Sequence, residues 1–169
     1  HTEASPLHDK AVRSAIAHII NYDSMAKIIG NGSTPGAAPF PPSANLGYDA
    51  IANKAMTDVA KADQILTQAG YAKNANGIYA KDGKELAITL AVWGKDTSLY
   101  EEIQQELKKA GIAVTLKKLQ SPDEVDTLGT DGFDLVERNV VTMSTNDPYW
   151  FLSLFYKTGA KANVGGYSN

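Results

Sequence analysis

The chain has 169 residues, 43% of them hydrophobic and 21% charged, the balance of a globular domain with one sizeable core. Its net charge of −3 comes without any block of lysines or arginines, which argues against nucleic acid or an anionic membrane as partner. It contains no cysteine, so disulfides, thiolate nucleophiles and cysteine-based metal sites are excluded, and no apolar run approaches the ~20 residues of a membrane-spanning helix.

In chain order, the first six residues, His1 to Pro6, have neither the basic nor the hydrophobic region of a signal peptide, so an exported protein would carry its signal upstream. Val12, Ala15, Ile16, Ile19 and Ile20 then recur at helical spacing and predict an amphipathic helix over 9–20. Asp23 reads as the N-cap of a short helix through Ile29, with Gly30 ending it. From Gly30 to about Ile51 the periodicity vanishes, and four of the seven prolines (Pro35, Pro39, Pro41, Pro42) fall here. This is a Pro/Gly-rich loop, unusually long for a compact domain.

Order returns near Asp58. Ala62, Ile65, Leu66 and Ala69 form a helical face closed by Gly70. The residues Gly77-Ile78-Tyr79, the turn Asp82-Gly83 and the run from Leu86 to Trp93 read as one hairpin, since Asp-Gly suits a tight turn. Along that run Leu86, Ile88, Leu90 and Val92 share one face, while Ala87, Thr89 and Ala91 give the other a small-residue surface suited to burial on both sides. Ser98 with Glu101 and Ser121 with Glu124 are read as capping boxes opening helices over 98–110 and 121–128. Strands follow at Ile112 to Leu116 and Phe133 to Arg138, and Asp147-Pro148 starts a short aromatic helix. The expected fold is α/β: an open, largely parallel sheet with crossover helices, preceded by a helical segment and a long loop. The expected organisation is a helical opening over 9–29, the loop over 30–57, an α/β core over 58–155 and a tail over 156–169.

Open α/β sheets bind ligands beyond the carboxyl ends of their strands. The candidate binding residues are therefore Trp93 and the loop bearing Arg138, Asn139, Val140, Val141, Thr142, Ser144 and Asp147, which offers a cation, hydroxyls and amides. The competing reading makes that loop solvent-facing, with Asp147 a helix cap and Arg138 paired with Glu137. No metal site is expected, because His8 and His18 lie ten apart, outside the spacing of helical ligands. No nucleotide loop, nucleophile elbow or paired acid–base carboxylates stand out, so neither cofactor nor enzymatic activity is expected. A hydrolase, or a pure protein-interaction module, is the rival from another class.

Five segments in order carry a family resemblance. Asp9 to Ile20, with Val12-Arg13 and Ala15-Ile16, resembles the opening helix motif of family 5 solute-binding proteins of ABC importers. Lys61 to Tyr71 is similar to its "K-A-x-x-L-L-x-x-A-G-Y" segment, and Leu107-Lys108 with Gly111-Ile112 to its "L-K-x-x-G-I". Gly132-Phe133-Asp134-Leu135 resembles "G-x-F-D-L", and Asp147-Pro148 through Gly166-Tyr167-Ser168-Asn169 resembles "D-P … G-Y-S-N".

The resemblance implies a two-lobed binding protein, of which this chain is most of the C-terminal lobe. An N-terminal lobe would precede it and further chain would follow. It also implies an extracytoplasmic location, a lipid anchor in the full-length protein, and delivery of a short peptide to an ABC permease. Nickel as a small chelate is the alternative cargo, favoured by Arg138 and by Ala44-Asn45-Leu46-Gly47. The chain departs from the family where a tryptophan is common, at Val140 or Val141, and where peptide binders place an aspartate, at Ser144. Recognition of a free peptide N-terminus is the property those departures weaken.

Overall fold

The computed structural model describes residues 5–35, 57–129, 132–142, 147–163 and 168. After a 3₁₀ turn at Pro6–His8, α1 spans Lys10–Ile19 and α2 spans Tyr22–Ile29. Asp9 caps α1 by accepting from the Ala11 N–H at 2.8 Å. The cap of α2 is Asn21 rather than Asp23: its side chain accepts from the Ser24 N–H at 3.0 Å, and Asp23 lies inside the first turn. Gly30, at φ +67, ends α2 as expected. Most of the Pro/Gly-rich loop, residues 36–56, lies outside the described residues, including Ala44 to Gly47.

Beyond it α3 covers Val59–Gln68, and three short strands follow, β1 at Ala72–Lys73, β2 at Tyr79–Lys81 and β3 at Lys84–Glu85. These three form a small antiparallel sheet. Asp82 and Gly83 at φ +52 and +76 give the mirror-image turn that joins β2 to β3. The hairpin is shorter than the sequence pattern suggests. At Leu86 the chain changes sheets: its N–H donates to the Tyr79 carbonyl at 2.6 Å, while its own carbonyl accepts from Ala113 at 3.0 Å. The long run is therefore a separate strand, β4 at Ala87–Val92.

That strand is the centre of a second, parallel sheet. Helix α4 (Ser98–Ala110) leads to β5 (Ala113–Lys118), and α5 (Glu124–Leu128) leads to β6 (Leu135–Val136). Both outer strands pair parallel with β4, in the order β5-β4-β6. Neither expected capping box forms. Thr97, not Ser98, is the N-cap of α4 and makes no side-chain cap bond to the backbone; its hydroxyl donates instead to the Glu101 carboxylate at 2.7 Å. At α5 the N-cap is Asp123, again without a side-chain cap bond, and Glu124 accepts from the Gln120 N–H at 3.1 Å, ahead of the helix. Helix α6 spans Tyr149–Phe155.

Strand alternation splits the core into two layers. On one face of the parallel sheet Ile88 packs with Val12, Ile16 and Ile19 of α1, Leu66 of α3, and Leu107 of α4. On the other face Ala91 packs with Leu119, Val125 and Phe133. Both faces of β4 are thus covered, as its small-residue side suggested. Asp134 locks the strands together: one carboxylate oxygen accepts from the Thr89 N–H at 2.7 Å and the other from the Ser5 hydroxyl at 2.5 Å. Phe133 and Asp134 of the "G-x-F-D-L" segment therefore have structural work, one in the core and one between strands.

Candidate functional site

The carboxyl ends of β4 and β6 lie side by side because both strands run parallel, and this brings Trp93 and Arg138 together. The Arg138 guanidinium sits over the Trp93 ring, 5.9 Å from its centroid. Trp93 is half-buried, with its indole packed against the layer of Leu119 and Phe133, whereas Arg138 is exposed. Among the described residues the ion pairs are Lys81 with Asp9 and Lys118 with Glu101, so Arg138 has no carboxylate partner there.

Glu137 does not pair with its neighbour Arg138. The Glu137 carboxylate instead accepts the Trp93 N–H at 3.1 Å. The Tyr100 phenol, from the first turn of α4, is set against the same carboxylate. Burial, then the hydrogen bond to Glu137 and its charge, push the Tyr100 phenol well above its ordinary pKa. Sequence reasoning missed Tyr100 altogether, and the Arg138–Glu137 pair of its competing reading is not among the ion pairs of the described residues.

The rest of the loop is less concentrated. Asn139 and Val141 are exposed, Val140 and Thr142 half-buried, and Ser144 lies outside the described residues. Asp147 accepts from the Tyr149 N–H at 2.8 Å, but it lies one residue before the N-cap of α6, which is Pro148 and not Asp147. In α6 Phe151 is buried against Phe155, with ring centroids 5.0 Å apart, while Trp150 is 43% exposed.

A cavity of about 520 Å³ opens at the opposite end of β4, lined by Ser5, Asp9, Tyr71, Lys81, Leu86 and Ala87. Three of its polar side chains meet one another: the Tyr71 phenol donates to Asp9 at 3.2 Å, and Lys81 lies 3.9 Å from the same carboxylate. It sits at the amino end of the strand, away from where open sheets place ligands. The carboxyl edge, where Arg138 stacks on Trp93 beyond the strand ends, is the stronger candidate.

The fold is thus an α/β lobe that presents loops beyond the carboxyl ends of a parallel sheet, the architecture of a ligand-capturing domain. No helix among the described residues is long and apolar enough to cross a membrane. The chain belongs to the bacterial extracellular solute-binding proteins of family 5, whose middle-region model matches residues 1–163.

Solved structures agree with that membership. NikA from Brucella suis in complex with Fe(III)-EDTA is 30% identical, with a TM-score of 0.78 over 98% of this chain and 34% of that one. Lactococcal OppA complexed with an endogenous peptide in the closed conformation is 25% identical, with a TM-score of 0.82 over 98% of this chain and 32% of that one. NikZ from Campylobacter jejuni in complex with Ni(L-His), at 22% identity, shares the fold with a TM-score of 0.78, over 96% of this chain and 34% of that one. The chain spans about a third of the length of these structures.

Proposed function

We propose that this chain is one lobe of the substrate-binding component of an ABC importer, which captures short peptides outside the cytoplasmic membrane and delivers them to the permease. In this reading the lobe closes with a second lobe on the solute, and the segment from Arg138 to Asp147 lines the cleft. The observation that carries it is Arg138, a guanidinium resting on Trp93 at the carboxyl edge of the sheet and free of ion pairs among the described residues. Its planar fork suits a carboxylate, which it can grip through two parallel hydrogen bonds. Family membership supports a binding protein over a hydrolase.

A second reading, nickel carried as a small chelate, has its own support in the 30% identity to a NikA bound to a metal–polycarboxylate complex. Either cargo offers Arg138 a carboxylate. The test is calorimetry on a protein of the relatives' length that carries this segment, titrated with tripeptides and separately with Ni(II)–histidine. Tripeptide binding is expected, weakened by roughly 2–5 kcal/mol in Arg138→Ala if the contact is desolvated, with the melting temperature nearly unchanged. Binding of the chelate alone selects the second reading. Unaltered affinity in a well-folded Arg138→Ala protein removes Arg138 from the site.

A further inference from the structure

We infer that Glu137, held by the Trp93 backbone and the Tyr100 phenol, is the positioning residue that sets the Trp93–Arg138 stack at the sheet edge. The inference begins where the ladder ends. β6 is only two residues long, and its last main-chain contact with β4 is the Glu137 N–H donating to the Ala91 carbonyl at 3.0 Å. Past that point Trp93 and Arg138 belong to two chain segments with no further strand pairing. The Glu137 side chain spans this gap, accepting the Trp93 N–H at 3.1 Å from the strand beyond Val92. Its second partner, Tyr100, belongs to a helix, so the carboxylate ties three elements, β4, β6 and α4.

The electrostatics favour this role over a salt bridge. Glu137 is half-buried and has no lysine or arginine within ion-pair distance among the described residues. A carboxylate held by neutral donors keeps its charge only where those donors are well placed, and it orders their backbone in return. Because the Glu137 carboxylate accepts the Trp93 N–H while Arg138 lies over the Trp93 ring and pairs with no acid among the described residues, the acid orders the segment without neutralising the cation. The inference deepens the proposed solute site and rests on it only for its consequence in binding.

The stack itself can be tested without a solute. The chain has two tryptophans, so Trp150→Phe leaves Trp93 as the sole indole reporter. In that background Arg138→Ala is expected to raise acrylamide quenching of Trp93 about twofold by uncovering one ring face. Glu137→Ala should give the same rise and add nothing to Arg138→Ala, because both act through one stack. Glu137→Gln, whose amide oxygen still accepts the Trp93 N–H, should restore the parent value, and Tyr100→Phe should produce a smaller rise in the same direction. If Glu137→Ala fails to fold by circular dichroism, the Glu137→Gln and Tyr100→Phe chains decide the matter by themselves. Quenching unchanged in Glu137→Ala or Tyr100→Phe, or a Glu137→Ala effect that adds fully to that of Arg138→Ala, overturns the positioning role. In a protein of the relatives' length, Glu137→Ala should then weaken tripeptide binding about tenfold, with Glu137→Gln near the parent. A disturbed stack with unchanged tripeptide affinity keeps the positioning role and removes the solute reading instead.

Discussion

Tyr22, Tyr71, Tyr79 and Tyr100 all hold their phenolic protons above the ordinary value of 10.0, in each case first because burial penalises the phenolate. Tyr79 adds a hydrogen bond to Asp63, and Tyr71 the nearby charge of Asp9. In the unfolded chain these phenols ionise near 10 while in the folded one they do not, so proton release favours unfolding above that pH. Their contribution to stability is complete below pH ~10 and is lost as pH rises through the folded values. The melting temperature should therefore fall steeply above pH ~10, and less steeply in Tyr79→Phe, which has no proton there to lose. A Tyr79→Phe chain that loses stability between pH ~10 and ~11.5 as fast as the parent would contradict this account. At this scale the sequence was only partly readable. Trp93 and Arg138 stood out because a strand's carboxyl end is where open sheets bind. Tyr100 did not, because its role depends on α4 crossing over Glu137, which no local pattern encodes.

Among the elements, the joint between the two sheets is the most constrained point. Gly111 ends α4 at φ +105, and its carbonyl accepts the Tyr79 N–H at 2.8 Å, which fixes the antiparallel sheet against the parallel one. A methyl group there would meet the Gly77 carbonyl oxygen at 2.7 Å and the Tyr79 ring at 3.2 Å. Backbone strain and that clash act together, so Gly111→Ala should cost about 1–3 kcal/mol or more, read as a lower urea midpoint at unchanged slope. A midpoint equal to the parent's would mean the joint yields, against the buried packing of Tyr79 and Ile112 around it. The α4 helix, its glycine stop and the parallel strands were all legible, since 13 residues of helical pattern and a six-residue strand carry strong periodicity. The small antiparallel sheet was not foreseen. Strands of two or three residues have no period to read, and only the Asp82-Gly83 turn signalled them.

For the molecule as a whole, the question is how much of a binding site one lobe supplies. Arg138 and Asn139 are exposed and Trp93 is only half-buried, so a solute at this edge would touch protein over part of its surface. The chain also spans about a third of the solved relatives, one of which holds its peptide in a closed conformation. Under the proposed function a second lobe completes the enclosure. Small-molecule sites that bind tightly bury most of the ligand, and each 1.4 kcal/mol of lost contact lowers affinity about tenfold. The 169-residue chain should thus bind tripeptides or Ni(II)–histidine far more weakly than a protein of the relatives' length, at a Kd above about 1 µM. A fold defect cannot mimic this result if the chain shows a cooperative melt, which its two packed core layers predict. Sub-micromolar binding by the chain alone would overturn the two-lobe reading and place a complete site within these residues. The cavity beside Asp9 and Lys81 would then be the first place to look, and loss of that binding in Lys81→Ala but not in Arg138→Ala would locate it there.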